Sequence, residues 1–297
     1  METRILKGKP LAATMREEVS ARAAELRDAG IVPTLAVVLV GDDPASRIYS
    51  SSIQKAGAKL GVEVRLVEID AANGAGEIAS RLAELGADPH VHGIIVQQPL
   101  PKGVPGSVVD AVPFAKDVDG STAESLGRVL SGREAFAPAT AQAVVEVLGR
   151  AGIEVAGRHV VIVGRSTVVG KPLACLLLRK DAVGNATVTV CHTGTRDLAA
   201  MTRTADILVA AMGVPEAIRG SMLAPGVVAI DVGVNRVDDP DSEKGYRVTG
   251  DIAAEEALGL AAALTPVPGG VGTLTTTIIL GNAVTVAARQ LSPQASL

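Results

Sequence analysis

Residues 161–172 read VIVGRSTVVGKP, and the parsing of this stretch decides the fold. An apolar run ends at Gly164, a polar turn follows, and Gly170, Lys171 and Pro172 open an amphipathic segment. The order is strand, turn, helix. Such a turn places backbone N–H groups and a helix amino terminus where an anion can sit. Its glycines are spaced Gly-x5-Gly rather than Gly-x-Gly-x-x-Gly, so the generic dinucleotide fingerprint is absent. Alone, the stretch fits nucleotide binding and an ordinary tight α/β turn about equally.

Working outward, the same alternation recurs on both sides. Toward the amino terminus, Leu11, Met15, Val19 and Leu26 line one face of a helix that Gly30 can close. TLAVVLVG (34–41) reads as a buried strand, with a helix from about Ala45 to Leu60 after it. EVRLVEID (63–70) is the next strand, Ile78 to Leu85 the next helix, and HGIIVQQPLP (92–101) a third strand. Toward the carboxyl terminus, a helix over 140–151 leads to strands at 159–164, 187–191, 206–210 and 227–231. TPVPGGVGT (265–273) reads as a loop and 274–288 as a terminal helix, with the last six residues expected to fray. Strands alternating with helices predict parallel α/β sheets in two units, joined near residues 120–140. A cleft between two such units is where ligands are expected, at the carboxyl ends of strands. The polar residues that interrupt apolar strand ends there are Gln97 and Gln98, Asp117 and Asp119, Arg165 and Ser166, and Asp231 with Asn235.

Composition narrows the partners. At 297 residues the chain is long enough for two domains, and 47% hydrophobic residues allow each a core. Two Tyr, two Phe and no Trp leave few platforms for stacking single-stranded nucleic acid. A net charge of −4 argues against a polyanion binder, so no nucleic-acid partner is expected. Mean hydropathy is +0.34, yet the most apolar region, 259–288, is cut by Pro266, Pro268 and several glycines. No membrane span is predicted. METRILKGKP is not followed by an apolar leader core, so a cytoplasmic location is expected. Cys175 and Cys191 form neither a disulfide framework nor a metal-ligand spacing, so no metal is expected.

Seven segments together resemble one family. VGDDPASRIY (40–49), GIIVQQPLP (93–101), KDVDG (116–120), GRSTVVGKP (164–172), TVTVCHTGT (187–195), AIDVGVN (229–235) and TPVPGGVG (265–272) are similar, in order and spacing, to the methylenetetrahydrofolate dehydrogenase/cyclohydrolases, the FolD family. The resemblance implies an oxidoreductase and hydrolase of one-carbon metabolism. It would move hydride from 5,10-methylenetetrahydrofolate to NADP and then open the methenyl product to 10-formyltetrahydrofolate. It implies an α/β fold of two domains: a folate and catalytic domain, 1–138 plus a terminal helix from about 274–297, and a Rossmann-like NADP-binding domain, 139–273. Tyr49 would stack on the pterin, Gln97 and Asp119 would hold its hydrogen-bonding edge, and Pro268, Gly269 and Gly272 would close over the substrate. Gly164, Arg165, Ser166, Gly170, Thr193 and Val234 would form the cofactor site. A homodimer through the second sheet is implied as well.

The residues agree with NADP over NAD. An NAD site offers a carboxylate after the second strand of the nucleotide fold. Here that strand ends Cys191, His192, Thr193, while Arg165 offers a forked cation suited to a phosphate.

One departure bears on activity. The family reads Tyr-x-x-x-Lys on the Tyr49 helix, and that lysine is its central catalytic group. Here YSSSIQKA places Ile53 at the lysine position. Residues i and i+4 share a helix face, whereas Lys55 and Lys59 lie about 120° and about 80° round from Tyr49. Isoleucine carries no proton, which predicts a weakened cyclohydrolase step beside a surviving dehydrogenase. Smaller departures sit on the folate side: PATA (138–141) for Pro-Cys-Thr-Pro, Thr273 and Leu274 for Pro-Met, and Gln98 beside Gln97. A divergent paralogue is one reading. A repurposed enzyme on another substrate and a non-catalytic folate- or NADP-binding protein are the alternatives.

Overall fold

The computed structural model describes residues 2–242 and 245–291; the frayed end expected for the last six residues lies outside them. The chain opens with a two-residue strand β1 (Arg4–Ile5) and helix α1 (Gly8–Asp28). Gly30, at φ 82°, turns the chain out of α1, and the N–H of Ile31 reaches back to the Leu26 carbonyl at 2.8 Å.

Strand β2 (Thr34–Val40) follows, buried along all seven residues. Helix α2 (Pro44–Leu60) starts where Asp43 caps it, its carboxylate accepting the Ser46 N–H at 2.7 Å, with Pro44 in the first turn. It stops at Gly61, whose φ of 77° is the left-handed conformation glycine adopts without penalty. Next come β3 (Glu63–Ile69), α3 (Ala75–Ala87), β4 (Gly93–Val96) and α4 (Ala123–Leu130). The three strands form a parallel sheet in the order β3-β2-β4, Leu35 standing beside Val64 and Gly93. Ile78 and Leu82 of α3 close one side of its core.

Helix α5 (Ala139–Arg150) leads to β5 (His159–Val163), α6 (Gly170–Leu178), β6 (Thr187–Cys191), α7 (Leu198–Thr202), β7 (Ile207–Ala210) and β8 (Val228–Asp231). An antiparallel pair, β9 (Asn235–Asp238) and β10 (Tyr246–Thr249), precedes the short α8 (Ala254–Ala257) and β11 (Ala263–Leu264). Helix α9 (Gly272–Ala288) comes next and runs into a 3-10 turn, Arg289–Leu291. The second sheet is parallel and six-stranded, in the order β1-β11-β8-β7-β5-β6. Its order reverses at β5, the topological switch point of a doubly wound fold.

Two compact units result: residues up to 12 with 140–275, and 13–139 with those from 276 on. The division differs from the predicted 1–138 unit at the amino terminus. Arg4 and Ile5 pair with Ala263 and Leu264, so the first dozen residues go with the six-stranded sheet. The part of α9 from 276 on belongs with the three-stranded unit, where Asn282 Nδ2 donates to the Val118 carbonyl at 2.8 Å. That helix is apolar nearly all round, the pattern of a helix buried on several sides.

Candidate active site

In the three-stranded unit the predicted residues gather at the carboxyl end of β4. Gln97 follows its last residue directly and is buried. The Ser46 hydroxyl donates to the Gln98 carbonyl at 3.2 Å, tying the first turn of α2 to the same point. One turn along α2, Tyr49 is 37% exposed, while Ile53 below it has no exposed surface at all. The isoleucine is therefore packed into the interior rather than lining an open face. Asp117 bridges to Ile94 in parallel, so the chain running on from it brings Asp119 level with the end of β4.

Asp117 itself is fully engaged. Its carboxylate accepts from the N–H groups of Ser121 and Thr122 at 3.1 and 2.9 Å and from the Ser125 hydroxyl at 2.6 Å. Between the two acids and that turn, Gly120 has φ 63°, and a Cβ there would lie 2.4 Å from the Phe136 carbonyl oxygen. Only glycine fits this close approach. Asp119 is less well served. Burial first, and then the charge of Asp117, pushes its carboxyl up to about 7, opposed by the Ala139 N–H. The fold thus leaves acceptor capacity unfilled on a buried carboxyl that is partly open to the surface.

In the six-stranded unit the turn after β5 behaves as its spacing predicts. Gly164 has φ 137°, and a Cβ on it would lie 2.2 Å from the Ala211 carbonyl oxygen. A Cβ on Gly170 would lie 2.0 Å from the Gly164 carbonyl oxygen. The two glycines thus let α6 seat directly on the strand end, with Leu173, Leu176 and Leu177 buried beneath. Gly164, Arg165, Ser166, His192 and Thr193 line a cavity of about 270 Å³, together with Leu198, Met212 and Val214. Gly170 acts through packing and is not among the lining residues, nor is Val234, which is exposed. The Ser166 hydroxyl is held by the Val169 N–H at 3.1 Å, and Arg165 makes no ion pair with any described residue. A larger cavity, about 640 Å³, lies at the opposite, amino ends of β5, β7 and β8 beside Arg158 and Asp206, and contains none of the predicted residues.

Pro268 and Gly269 sit in the loop before α9 and Gly272 opens the helix; Gly269 has φ 102° and its carbonyl accepts the Gly8 N–H at 2.8 Å. Among the described residues no group of three or more His, Cys, Asp or Glu is placed to hold a metal, and both cysteines are free.

Residues 6–119 match the family described as Tetrahydrofolate dehydrogenase/cyclohydrolase, catalytic domain, and residues 138–291 its NAD(P)-binding domain. The chain belongs to the tetrahydrofolate dehydrogenase/cyclohydrolase family. It is 45% identical to the bifunctional protein FolD of Chlorobium limicola over 282 residues, which cover 94% of this chain and 95% of that one. Among solved structures it resembles the bifunctional FolD methylenetetrahydrofolate dehydrogenase/cyclohydrolase of Campylobacter jejuni, with a TM-score of 0.91 and 36% identity over 97% of this chain and 99% of that one. The Trypanosoma brucei FolD, solved with NADP cofactor and an inhibitor, superposes with a TM-score of 0.90 and 33% identity over 98% and 99%.

Within this family frame, Tyr49, Ile53, Gln97 and Asp119 fall in the catalytic domain, and the turn from Gly164 to Gly170 with Thr193 falls in the NAD(P)-binding domain. Several groups at these sites were not among the predicted residues, His192 beside Thr193 among them. Leu198 opens α7 and the Met212–Val214 segment follows the end of β7, all of them apolar, and Asp251 lies 37–39 residues from the backbone groups it binds. No spacing in the sequence announces such contacts.

Proposed function

We propose that this protein oxidises 5,10-methylenetetrahydrofolate to 5,10-methenyltetrahydrofolate with NADP, and that it hydrolyses the methenyl product poorly. Support for the first half comes from the family and from how the residues present fit the dinucleotide. Gly164 and Gly170 let β5, the turn and α6 pack within a Cβ's reach of neighbouring backbone, which sets the turn at the mouth of the cavity. Arg165 stands exposed at its rim, without an acidic partner among the described residues. The first acid after β6 is Asp197, whose carboxylate already accepts the Ala200 N–H at 2.8 Å as the cap of α7. No carboxylate is left to favour a ribose 2′-hydroxyl, and a guanidinium beside Thr193 suits a 2′-phosphate.

Bound NADP supplies the hydride acceptor. The chain's own part in that step is positional. Asp119, short of donors, would accept the adjacent N–H groups of the pterin edge, with the Gln97 amide beside it and the exposed Tyr49 ring offering a face. Transfer of hydride from the methylene carbon leaves a cationic methenyl bridge and requires no proton. Hydrolysis differs: water adds to that carbon, a proton leaves the oxygen, and a ring nitrogen gains one. Ile53 can do neither transfer, and its burial keeps water from taking its place.

The observation that carries the reading is the register of α2, which sets an inert, fully buried Ile53 one turn below Tyr49. The test is to supply methylenetetrahydrofolate and NADP to the purified protein and follow NADPH and methenyl absorbance together. NADPH should appear with methenyl product accumulating. Failure to form NADPH sinks the first half, and prompt conversion to 10-formyltetrahydrofolate sinks the second. The same reading takes the chain as a cytoplasmic homodimer joined through the six-stranded sheet. Its support is an open edge at β6, where Val190 is exposed, and the lack among described residues of any helix long and apolar enough to cross a membrane.

A further inference from the structure

Behind one wall of the nucleotide cavity lie two buried carboxylates that the reaction above leaves unused. Asp251, wholly without exposed surface, accepts the N–H groups of Met212 and Gly213 on one oxygen, at 2.5 and 3.0 Å. Its other oxygen accepts the Val214 N–H at 3.0 Å and Asn235 Nδ2 at 2.9 Å. Beneath it, the Asp231 carboxylate accepts the N–H groups of Gly233, Asp251 and Ile252 at 3.0, 2.9 and 2.8 Å. Neither acid forms an ion pair with a described residue, so backbone dipoles and one amide hold both.

The surroundings are cut to fit them. A Cβ on Gly233 would lie 2.2 Å from Asp251 Oδ1, and one on Gly250 would lie 1.9 Å from Asp231 Oδ2. On the cavity side, Met212 and Val214 line the space shared with Arg165, Ser166 and Thr193. Ala211, the residue before them, presses its carbonyl against Gly164. The segment 211–214 thus touches the phosphate turn on one side and is gripped by a carboxylate on the other.

We propose that Asp251 is a positioning residue for the nucleotide: by binding three consecutive N–H groups it fixes Met212–Val214 as a wall of the cavity, and Asp231 fixes Asp251. The inference rests on the reading of this cavity as the NADP site. A carboxylate accepts on both oxygens, whereas an asparagine keeps one acceptor and turns a donor toward the remaining N–H groups. Asp251→Asn therefore releases part of the wall without changing its bulk.

NADP is titrated calorimetrically into the wild-type protein, Asp251→Asn and Asn235→Ala, with KM measured for both substrates and thermal unfolding followed without ligand. In Asp251→Asn the Kd and KM for NADP should rise about tenfold or more, with the folate KM within about twofold. Asn235→Ala, which removes one of four hydrogen bonds, should move the same constants about threefold. A purely structural role predicts a lower Tm and a smaller active fraction with an unchanged NADP Kd in the folded protein. That result in Asp251→Asn, or in Asn235→Ala should the first variant not fold, overturns the proposal. Absence of NADP binding by the wild-type protein instead overturns the reading of the cavity, before either variant is considered.

Discussion

Asp119 in the three-stranded unit and Asp251 in the six-stranded unit are both acids drawn out of water, and neither has a cation to pair with among the described residues. They differ in how many donors reach them. Asp251 receives four, and Asp117, the neighbour of Asp119, receives three. Asp119 is served by the Ala139 N–H, and its carboxyl stands at about 7. An ionised carboxylate has roughly four acceptor positions. Where those positions are filled from within, the acid shapes backbone; where they are left open, the acid waits for donors from outside. On the proposed function, the difference separates a carboxylate that builds a site from one that works in it.

The hardest blow to this comparison would come from Ile53. Asp119, half-ionised near neutrality, is the rival carrier for the protons of methenyl hydrolysis, and if it serves there a lysine at position 53 adds little. If Asp119 is committed to holding the pterin edge, Ile53→Lys should raise cyclohydrolase turnover by roughly 10² to 10⁴, the usual worth of a positioned acid–base group. The side chain enters a site with no exposed surface, so burial will depress the ammonium pKa toward the range useful for proton transfer. The same burial will lower stability, so unfolding must be measured beside the decay of methenyl absorbance. Hydrolysis unchanged in a folded Ile53→Lys would return the proton-carrying role to Asp119.

A smaller effect is expected on the nucleotide side, where the acids face inward and the one exposed charge in the cavity lining is Arg165. Arg165→Leu should weaken NADP by about 10- to 100-fold, the scale of a charge-assisted pair with phosphate, and change NAD affinity little. The ratio of the two dissociation constants is the quantity to measure. Equal losses for both dinucleotides would mean that Arg165 serves the pyrophosphate or the turn itself, and that 2′-phosphate selection lies elsewhere.

The parts of this fold that could be read from sequence are those in which one segment carries its own signal. β2 is apolar from Leu35 to Val40 because both faces of a parallel strand are covered, and α2 announces itself through Asp43, Pro44 and Gly61. β1 and β11 are two residues each, too short for any period, and exist only because their partners align them. The β9–β10 pair mixes charged and polar residues with Val237 and Val248, and is held by ladder bonds and by the Arg236 guanidinium stacked 3.8 Å from the Tyr246 ring. Site residues divide the same way. The turn at Gly164 was legible because strand, glycine and helix start are contiguous, and Ile53 because it shares a helix face with Tyr49. Asp251 was not, since its meaning lies in amides 37–39 residues away in the chain. Asp119 stands out in the sequence through KDVDG, but that the fold sets it level with β4 and leaves it short of donors shows only in the structure.

The smallest effect tests that withholding directly, in the protein without ligand. The folded-state pKa of Asp119 is raised to about 7 from an ordinary 3.8. Below about pH 4 the group is protonated in both states and has no influence on the pH dependence. Between about 4 and 7 the unfolded chain ionises first and binds fewer protons, so stability from this group falls as pH rises; above about 7 the loss is complete. Asp231, raised to about 6, contributes in the same direction over a narrower window and is untouched by a change at 119. Asp119→Asn removes the larger part. Relative to wild type, the variant should gain on the order of 1–2 kcal/mol between pH 5 and pH 8 in urea unfolding, after allowance for its partly exposed position. A substrate that donates to the ionised carboxylate should cancel the wild-type slope, because it supplies what the fold leaves out. Parallel pH curves for variant and wild type would mean that Asp119 is as well satisfied as Asp251, and that the open acid of this site has to be sought at another residue.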